Sequence, residues 1–400
     1  MNTILLIALT ICSVLLIWQF VGYPLFMSII VLKNKPKDID HLYEPFVSIL
    51  VPTYNEEKVI ANRIENLFSL NYEKNNYEII IVDSGSSDNT REIVKKIQKL
   101  SGNTNPVLLL VNETERKGKA SAINFGKKYS KADFILVTDA NAIFDENVLR
   151  EMMPHFKDQK VGAVGGRYCV ANLEDPLAAS TSFYWDIEYI LSIGESRIDS
   201  ACLFHGEINA WRKDLIDADP HMISEDLDMC IRIRKKGLRI EYEPKAIVYE
   251  SAATSIQDQI TQRRRTAIGT IQCLFKHLRF FFIPKNVYSG FIFPSHKTLS
   301  ILSPFLLLSI PILYLFIFNI KEILYHLLIF LSTFGALLFF LLLLKRKIVK
   351  KTKTGKQSKI TIFKLFSYVL LNEYLVLSAW KNYISGKYSV LWEKVDTTRI

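Results

Sequence analysis

Apolar residues in this chain fall into three long uncharged blocks with a set of short runs between them, and the two patterns predict different elements. Residues 2–32 carry no charge. As a helix rising about 1.5 Å per residue, this stretch exceeds the ~30 Å hydrocarbon core of a bilayer even with tilt. It is longer than the apolar region of a signal peptide and lacks a basic start, so it reads as a retained anchor. Residues 298–320 and 323–344 are also uncharged and each long enough to span, with only Lys321 and Glu322 between them, which predicts a tight helical hairpin.

Between residues 44 and 250 the pattern changes to short β-branched runs, each followed by an amphipathic stretch. Residues 47–51 precede a helix-like 56–70, 78–82 precede 89–100, 107–111 precede 119–129, and 134–137 end at Asp139. This alternation predicts an α/β domain with a mainly parallel sheet and helices on both faces. Ligands of such sheets bind beyond the carboxyl ends of the strands, and the first, second and fourth runs lead directly into polar motifs. No internal repeat or low-complexity linker is evident, the basic stretch 345–359 being the nearest to one.

Charge orients the apolar blocks. Lys33, Lys35 and Lys37 follow the first, and residues 345–359 carry eight basic residues and no acid. By the positive-inside rule both regions are cytoplasmic, which puts the N-terminus and the Lys321/Glu322 turn outside and the central domain inside a cell membrane crossed several times. The net charge of +10 invites a nucleic-acid reading, but much of the excess flanks membrane segments. Membrane lipids, and not nucleic acid, are therefore the expected partner. Cys12, Cys169, Cys202, Cys230 and Cys273 are scattered without CxxC spacing, so the spacing indicates neither a disulfide framework nor a zinc site.

Each polar motif admits a bland reading beside a chemical one. In Pro52, Thr53, Tyr54, Asn55 and Glu56, a proline ends a strand and polar side chains can cap the next helix. Asp83 precedes the cap at Asp88, which frees it to hold a base or ribose. Asp139 and Asn141, alternate residues at a strand exit, offer two oxygens to a divalent cation, magnesium or manganese; an ordinary turn is the alternative. Ser224, Glu225, Asp226 and Asp228 open a helix whose positive terminus suits acids, yet three acids exceed what capping needs. One of these carboxylates can take a proton from an acceptor hydroxyl. Gln262, Arg263, Arg264 and Arg265 read either as a polybasic interfacial segment or as an inward grip on acceptor sugar and diphosphate. His205 and Glu207, beside Phe204 and Gly206, would be costly to bury unpaired.

Taken together, these motifs resemble the family 2 glycosyltransferases, inverting enzymes with the GT-A fold, and particularly the membrane-embedded synthases of hyaluronan, chitin, cellulose and poly-N-acetylglucosamine. The resemblance covers about residues 45 to 275. It implies that Pro52, Tyr54, Asn55 and Glu56 contact the uracil and ribose of a nucleotide sugar, with Thr53 among the nucleotide-sugar-binding residues, that Asp83 recognises the base, and that the Arg116–Ala120 stretch with Lys119 lies over the nucleotide. It maps the DxD motif onto Asp139 and Asn141, departing from the pattern at the second acid. It also implies that Asp226, with Glu225, is the catalytic base, and that Gln262 and Arg265 match a QxxRW motif with Thr266 in place of tryptophan, Arg263 beside them facing acceptor or diphosphate. His205, Gly206 and Glu207 occupy an acceptor-lining segment. Trp392, with Thr398 and Arg399, resembles a gating loop, which requires a cytoplasmic C-terminus. Residues 360–384 should then lie along the interface, since Lys364, Glu373 and Lys381 divide them into runs too short to span.

The expected organisation is an anchor and basic linker (1–42), a cytoplasmic glycosyltransferase domain (43–253), interfacial helices carrying the QxxR element (254–297), a transmembrane hairpin (298–344) and a basic, interfacial and gating-loop-like tail (345–400). Processive transfer from a nucleotide sugar to a growing glycan is the leading expectation. Transfer of one sugar to a lipid-phosphate carrier or lipid-linked acceptor is the second, and a non-catalytic membrane scaffold the third.

Overall fold

A computed structural model describes residues 2–35, 37, 39–102, 106–318, 322, 362–391 and 396–399. The predicted second half of the hairpin (323–344), the basic stretch 345–359 and Trp392 lie outside these residues.

Eight strands form one sheet: β1 Val47–Thr53, β2 Tyr77–Asp83, β3 Val107–Asn112, β4 Phe134–Val137, β5 Ile143–Phe144, β6 Val161–Val170, β7 Asn209–Arg212 and β8 Arg239–Glu250. Their order is β3-β2-β1-β4-β7-β6-β8-β5. The first four strands by position pair in parallel, as the alternation predicted. The rest of the sheet is mixed: β7 runs antiparallel between β4 and β6, β6 and β8 are parallel, and β5 closes the edge antiparallel to β8.

Successive strand residues point to opposite faces, and each face has its own core. Val47, Ile49, Val51, Ile79 and Ile81 pack with the Ile60–Phe68 helix and with Val94 of the Thr90–Ser101 helix. Leu50, Ile80 and Val82 face the other way, onto Ala120, Ala122 and Ile123 of the Lys119–Lys127 helix. The one polar side chain within the first part of β1, Ser48, donates to Glu78 Oε1 at 2.5 Å and lies 2.7 Å from Ser130 Oγ, so its burial is compensated.

The antiparallel β7 explains how distant loops reach one edge. Its first residue, Asn209, lies opposite Val137, the last of β4, so the loop before β7 arrives where β4 ends. Gly165 of β6 also faces Asn209, and Val170 of β6 pairs with Glu250 of β8. The far ends of β6 and β8 therefore project to the same side as Asp83 and Asp139.

Among the described residues, two helices are long and apolar enough to cross a bilayer: Thr3–Lys33 and Tyr288–Ile317. The second starts ten residues before the uncharged run that predicted it, through π-helical turns at Tyr288–Ile292 and Pro294–Thr298, so His296 and Lys297 lie inside it. The Pro176–Ile198 helix ties the sheet domain to both, through Leu191 packed with Tyr23 and Met27 and through hydrogen bonds to Tyr23 and His296. The Ile362–Ile384 helix packs on Ile256–Lys276 through Val376 and Ala379, and Trp380 Nε1 donates to Ile301 O at 2.8 Å. Glu373, one of the three charges that divide this segment, is buried and accepts from Ser303 Oγ at 2.7 Å.

Candidate active site

A cleft opens beyond the carboxyl ends of β1, β2 and β4, lined by Pro52, Thr53, Tyr54, Glu56, Ser84, Arg116, Gly118, Lys119, Asp139, Asn141 and Arg399. The chain leaves β1 through Asn55, whose φ of 57° lies in the left-handed region that asparagine tolerates. Its Oδ1 accepts from Ser87 N at 2.8 Å, which couples the exits of β1 and β2. Thr53 Oγ1 donates to Val82 O at 3.1 Å. The Arg116 guanidinium covers the Tyr54 ring, 4.1 Å from its centroid, a favourable cation–π distance.

Asp83 sits behind this wall and is fully buried. Its Oδ2 accepts from Arg91 Nε at 2.5 Å and from the backbone of Gly85 and Ser86, both at 3.2 Å. Its Oδ1 has no partner among the described residues. A buried acceptor without a donor is unusual and fits a site whose ligand supplies an N–H.

The floor of the cleft is a charge cluster centred on Lys119. Gly118, with φ of +94°, makes a turn that a side chain would strain, and Lys119 is the first helical residue after it. Its Nζ donates to Asp139 Oδ1 at 2.5 Å and to Gly206 O at 3.1 Å. Burial opposes the ammonium charge, but Asp139, Glu225 and Glu207 outweigh it and raise the Lys119 pKa above its usual value. Burial, with Asp139 nearby, pushes Glu207 up to about 7 against the pull of Lys119. Burial likewise lifts Glu225 to about 7, with Lys119 opposing and the adjacent Asp226 adding to the rise. Asp226 is raised mainly by burial, although its Oδ1 accepts from Leu227 N at 2.8 Å. Glu250 is held well above the carboxylate range by burial and by Glu207.

Asn141, at the divergent position of the DxD pattern, is oriented by this cluster. Its Nδ2 donates to Glu250 Oε1 at 2.7 Å and to Thr398 O at 3.4 Å. That arrangement assigns the amide orientation and leaves Oδ1 buried without a partner among the described residues. An aspartate oxygen beside an unclaimed amide oxygen is a donor set that suits a hard divalent cation.

The acceptor-segment residues converge here as well. Gly206 lies opposite the helix that starts at Glu225: a methyl group added to it would stand 3.1 Å from Lys119 Nζ and 3.8 Å from Asp226 Oδ2. His205 is buried with the Trp185 ring edge-on at 4.9 Å, and burial lowers it to about 4, so it is neutral near pH 7.

Gln262, Arg263 and Arg265 lie on the Ile256–Lys276 helix. Burial lowers the Arg265 pKa, with the nearby charges of Glu225 and Asp226 opposing that shift, whereas Arg263 Nη2 donates to Gln259 Oε1 at 3.4 Å on its own helix. Thr266 is exposed, and its hydroxyl donates back to Gln262 O at 3.1 Å. The helix is clamped onto the acidic motif: Gln272 Oε1 accepts from Ile223 N at 3.0 Å, Gln272 Nε2 donates to His221 O at 2.8 Å, and a methyl on Gly269 would fall 2.1 Å from Ser224 Oγ. Arg399 closes the cleft, with Nε donating to Glu56 Oε2 and Nη2 to Oε1, both at 2.7 Å.

The structure therefore gathers Pro52, Thr53, Tyr54, Glu56, Lys119, Asp139, Asn141 and Arg399 around one cleft, with Glu207, Glu225, Asp226 and Arg265 grouped about its cations. Sequence reasoning missed Glu250, Gln272 and Gly269. Glu250 carried one faint signal, a carboxylate at the end of a β-branched run; Gln272 and Gly269 carried none.

Residues 48–216 match the family profile described as Glycosyl transferase family 2, and residues 134–344 match Glycosyl transferase family group 2. Poly-beta-1,6-N-acetyl-D-glucosamine synthase of Staphylococcus aureus is 31% identical over 253 residues, covering 61% of this chain and 59% of the relative. The chain thus spans about three fifths of that relative's length. A Bacillus subtilis protein described as "Probable glycosyltransferase YdaM" is 29% identical over 304 residues, 70% of this chain and 69% of the relative. Among solved structures, a mannosyltransferase from Pyrobaculum calidifontis in complex with GDP-Man and Mn2+ superposes with a TM-score of 0.71 at 22% identity, covering 95% of this chain and all of that one, a likeness of fold.

The close approach at Gly269 makes a structural prediction. Gly269→Val should drive the helix off Ser224 and destabilise the protein by about 1–3 kcal/mol. Hydrogen exchange should speed up at residues 223–228 and stay unchanged at 47–53.

Proposed function

The chain belongs to glycosyl transferase family 2, and from that membership we propose that it is an inverting membrane glycosyltransferase that extends a glycan with sugar from a UDP-linked donor. The carrying observation is the Lys119 cluster, where a cation, an aspartate–asparagine pair and a raised carboxylate pair meet beside a cleft at the strand ends. Sites of this make-up, with titratable groups shifted by burial and by one another, are where proton transfer is tuned.

In this reading the nucleotide lies against Pro52, Thr53, Tyr54 and Glu56, and Asp83 Oδ1 accepts from the base. Lys119 faces the diphosphate. A divalent cation, magnesium or manganese, would be held by Asp139 and Asn141 Oδ1 and would offset the charge of the diphosphate. Asp226 accepts the proton of the acceptor hydroxyl as its oxygen attacks the anomeric carbon. The bond from that carbon to the diphosphate breaks, and the nucleoside diphosphate departs with its electrons while Lys119 and Arg265 balance its charge. His205, Gly206 and Glu207 border the acceptor, Gln262 and Arg263 extend that border, and Arg399 closes over the donor.

A polymer product is supported by the relative of stated synthase function and by the approach of Arg265 to the base. A cell-membrane setting with the catalytic domain on the cytoplasmic side is supported by the two apolar helices and the flanking lysines. One observation favours the second reading, transfer of a single sugar to a lipid-phosphate or lipid-linked acceptor. Thr266 is exposed where an aromatic platform would sit, so a long glycan has less to rest on at that position.

Asp226→Asn should lower transfer of labelled sugar by about 10²–10⁴-fold with nucleotide binding retained; unchanged transfer would assign the base elsewhere. The acid–base balance makes a second prediction. Glu207 and Glu225 ionise near 7, and their charged forms pair with Lys119. As pH falls through 7 they take up protons and that pairing weakens, so transfer should decline below about pH 7. A rate that stays flat from about pH 5.5 to 8 contradicts it.

A further inference from the structure

Away from the cleft, a second buried polar cluster joins the catalytic domain to both spanning helices. Glu195 of the Pro176–Ile198 helix accepts from Tyr23 Oη at 2.7 Å through Oε1 and from Cys202 N at 2.9 Å through Oε2. His296 Nδ1 lies 2.7 Å from the same Oε1. On its other side, His296 Nε2 is 3.1 Å from Glu188 Oε2, and Lys297 Nζ is 3.1 Å from Glu188 Oε1. Glu195 and Cys202 are fully buried, His296 nearly so. One ligand atom from each of Glu195, Cys202 and His296 lies within 4.8 Å of the others.

Charge pairing alone accounts for Glu188 and Lys297. It does not account for a thiol completing the triangle, or for how the partners are arranged around it. We infer that Glu195, Cys202 and His296 form a zinc site that clamps the spanning helices to the catalytic domain. Carboxylate, thiolate and imidazole together are the mixed donor set that zinc accepts without geometric preference of its own, leaving one position for water.

The surrounding groups are those a metal site needs. Glu188 Oε2 lies 3.1 Å from His296 Nε2 as an ion pair, and the Tyr23 hydroxyl and Cys202 N–H fix the Glu195 carboxylate. Cys202 binds as a thiolate and His296 as a neutral imidazole, so uptake of the cation is accompanied by proton release. The 2.7 Å approach of Nδ1 to Oε1 must open by about 0.6 Å to admit a tetrahedral ion, within reach of a side-chain adjustment.

Cobalt(II) is the probe, because thiolate ligation gives a near-ultraviolet charge-transfer absorption that oxygen ligands do not. Full-length protein purified in detergent and stripped with chelator is titrated with cobalt(II). The expected result is one cobalt per chain with that absorption, displaced by zinc, lost in Cys202→Ser and in His296→Gln, and kept in Asp139→Asn. Zinc should also raise the melting temperature of the wild type and leave that of Cys202→Ser unchanged. Absence of the charge-transfer band, or a band and a zinc-induced stabilisation that survive in Cys202→Ser, would overturn the site.

Discussion

Five carboxylates, Asp139, Glu207, Glu225, Asp226 and Glu250, crowd the head of one sheet, and the Lys119 ammonium is what lets them do so. Its direct bond goes to Asp139, and its field lowers the pKa of Glu207, Glu225, Asp226 and Glu250 against the rise that burial imposes on each. Unit charges about 4 Å apart interact by roughly 4 kcal/mol at an intermediate dielectric, and removing one partner of a buried pair typically costs about 3–5 kcal/mol. The acids arrive from separate loops, so their mutual approach depends on the cation more than on any local backbone preference. The lysine in turn depends on Gly118, whose backbone turn sets the start of its helix.

Around that centre the chain uses long-range clamps. The helix carrying Arg265 is held to the acidic motif by Gln272 and by the lack of a side chain at Gly269. The C-terminal segment is held at three points: Arg399 to Glu56, Thr398 O to Asn141, and Thr397 to Asp258 Oδ2 at 2.7 Å. The two long apolar helices are held by the Glu195–His296 cluster and by Trp18, whose Nε1 donates to Ser295 Oγ at 3.1 Å. Packing and polar contacts thus join the sheet domain and the long apolar helices in several independent places.

Much of this was legible in the sequence because it is local. The run 134–137 reappears unchanged as β4, and β1 and β2 differ from their predicted runs by one or two residues at the ends; the N-cap falls on Asn89, one residue after the expected Asp88, whose Oδ1 accepts from Thr90 N at 3.0 Å. The helix predicted from residue 56 starts at Ile60, because Asn55 takes a left-handed turn that no periodicity reveals. What was hidden is non-local. Antiparallel β7 brings His205–Glu207 beside Asp139 across a long stretch of chain, and the departure from an acid at Asn141 is answered by Glu250, far away in sequence but next to it in space. Cysteine spacing argued against zinc, and the Cys202 triangle is built from Glu195, seven residues earlier, and from His296 inside a long apolar helix, a combination that cysteine spacing cannot show.

Membership of family 2 makes the chain a glycosyltransferase; the central claim is that the Lys119 site builds a polymer from a UDP-linked sugar. The most direct test incubates membranes containing the protein with a panel of radiolabelled UDP- and GDP-sugars, with magnesium, manganese or chelator, and sizes the product. The account predicts a cation-dependent polymer from a UDP-sugar. A lipid-extractable monosaccharide as the sole product would contradict it.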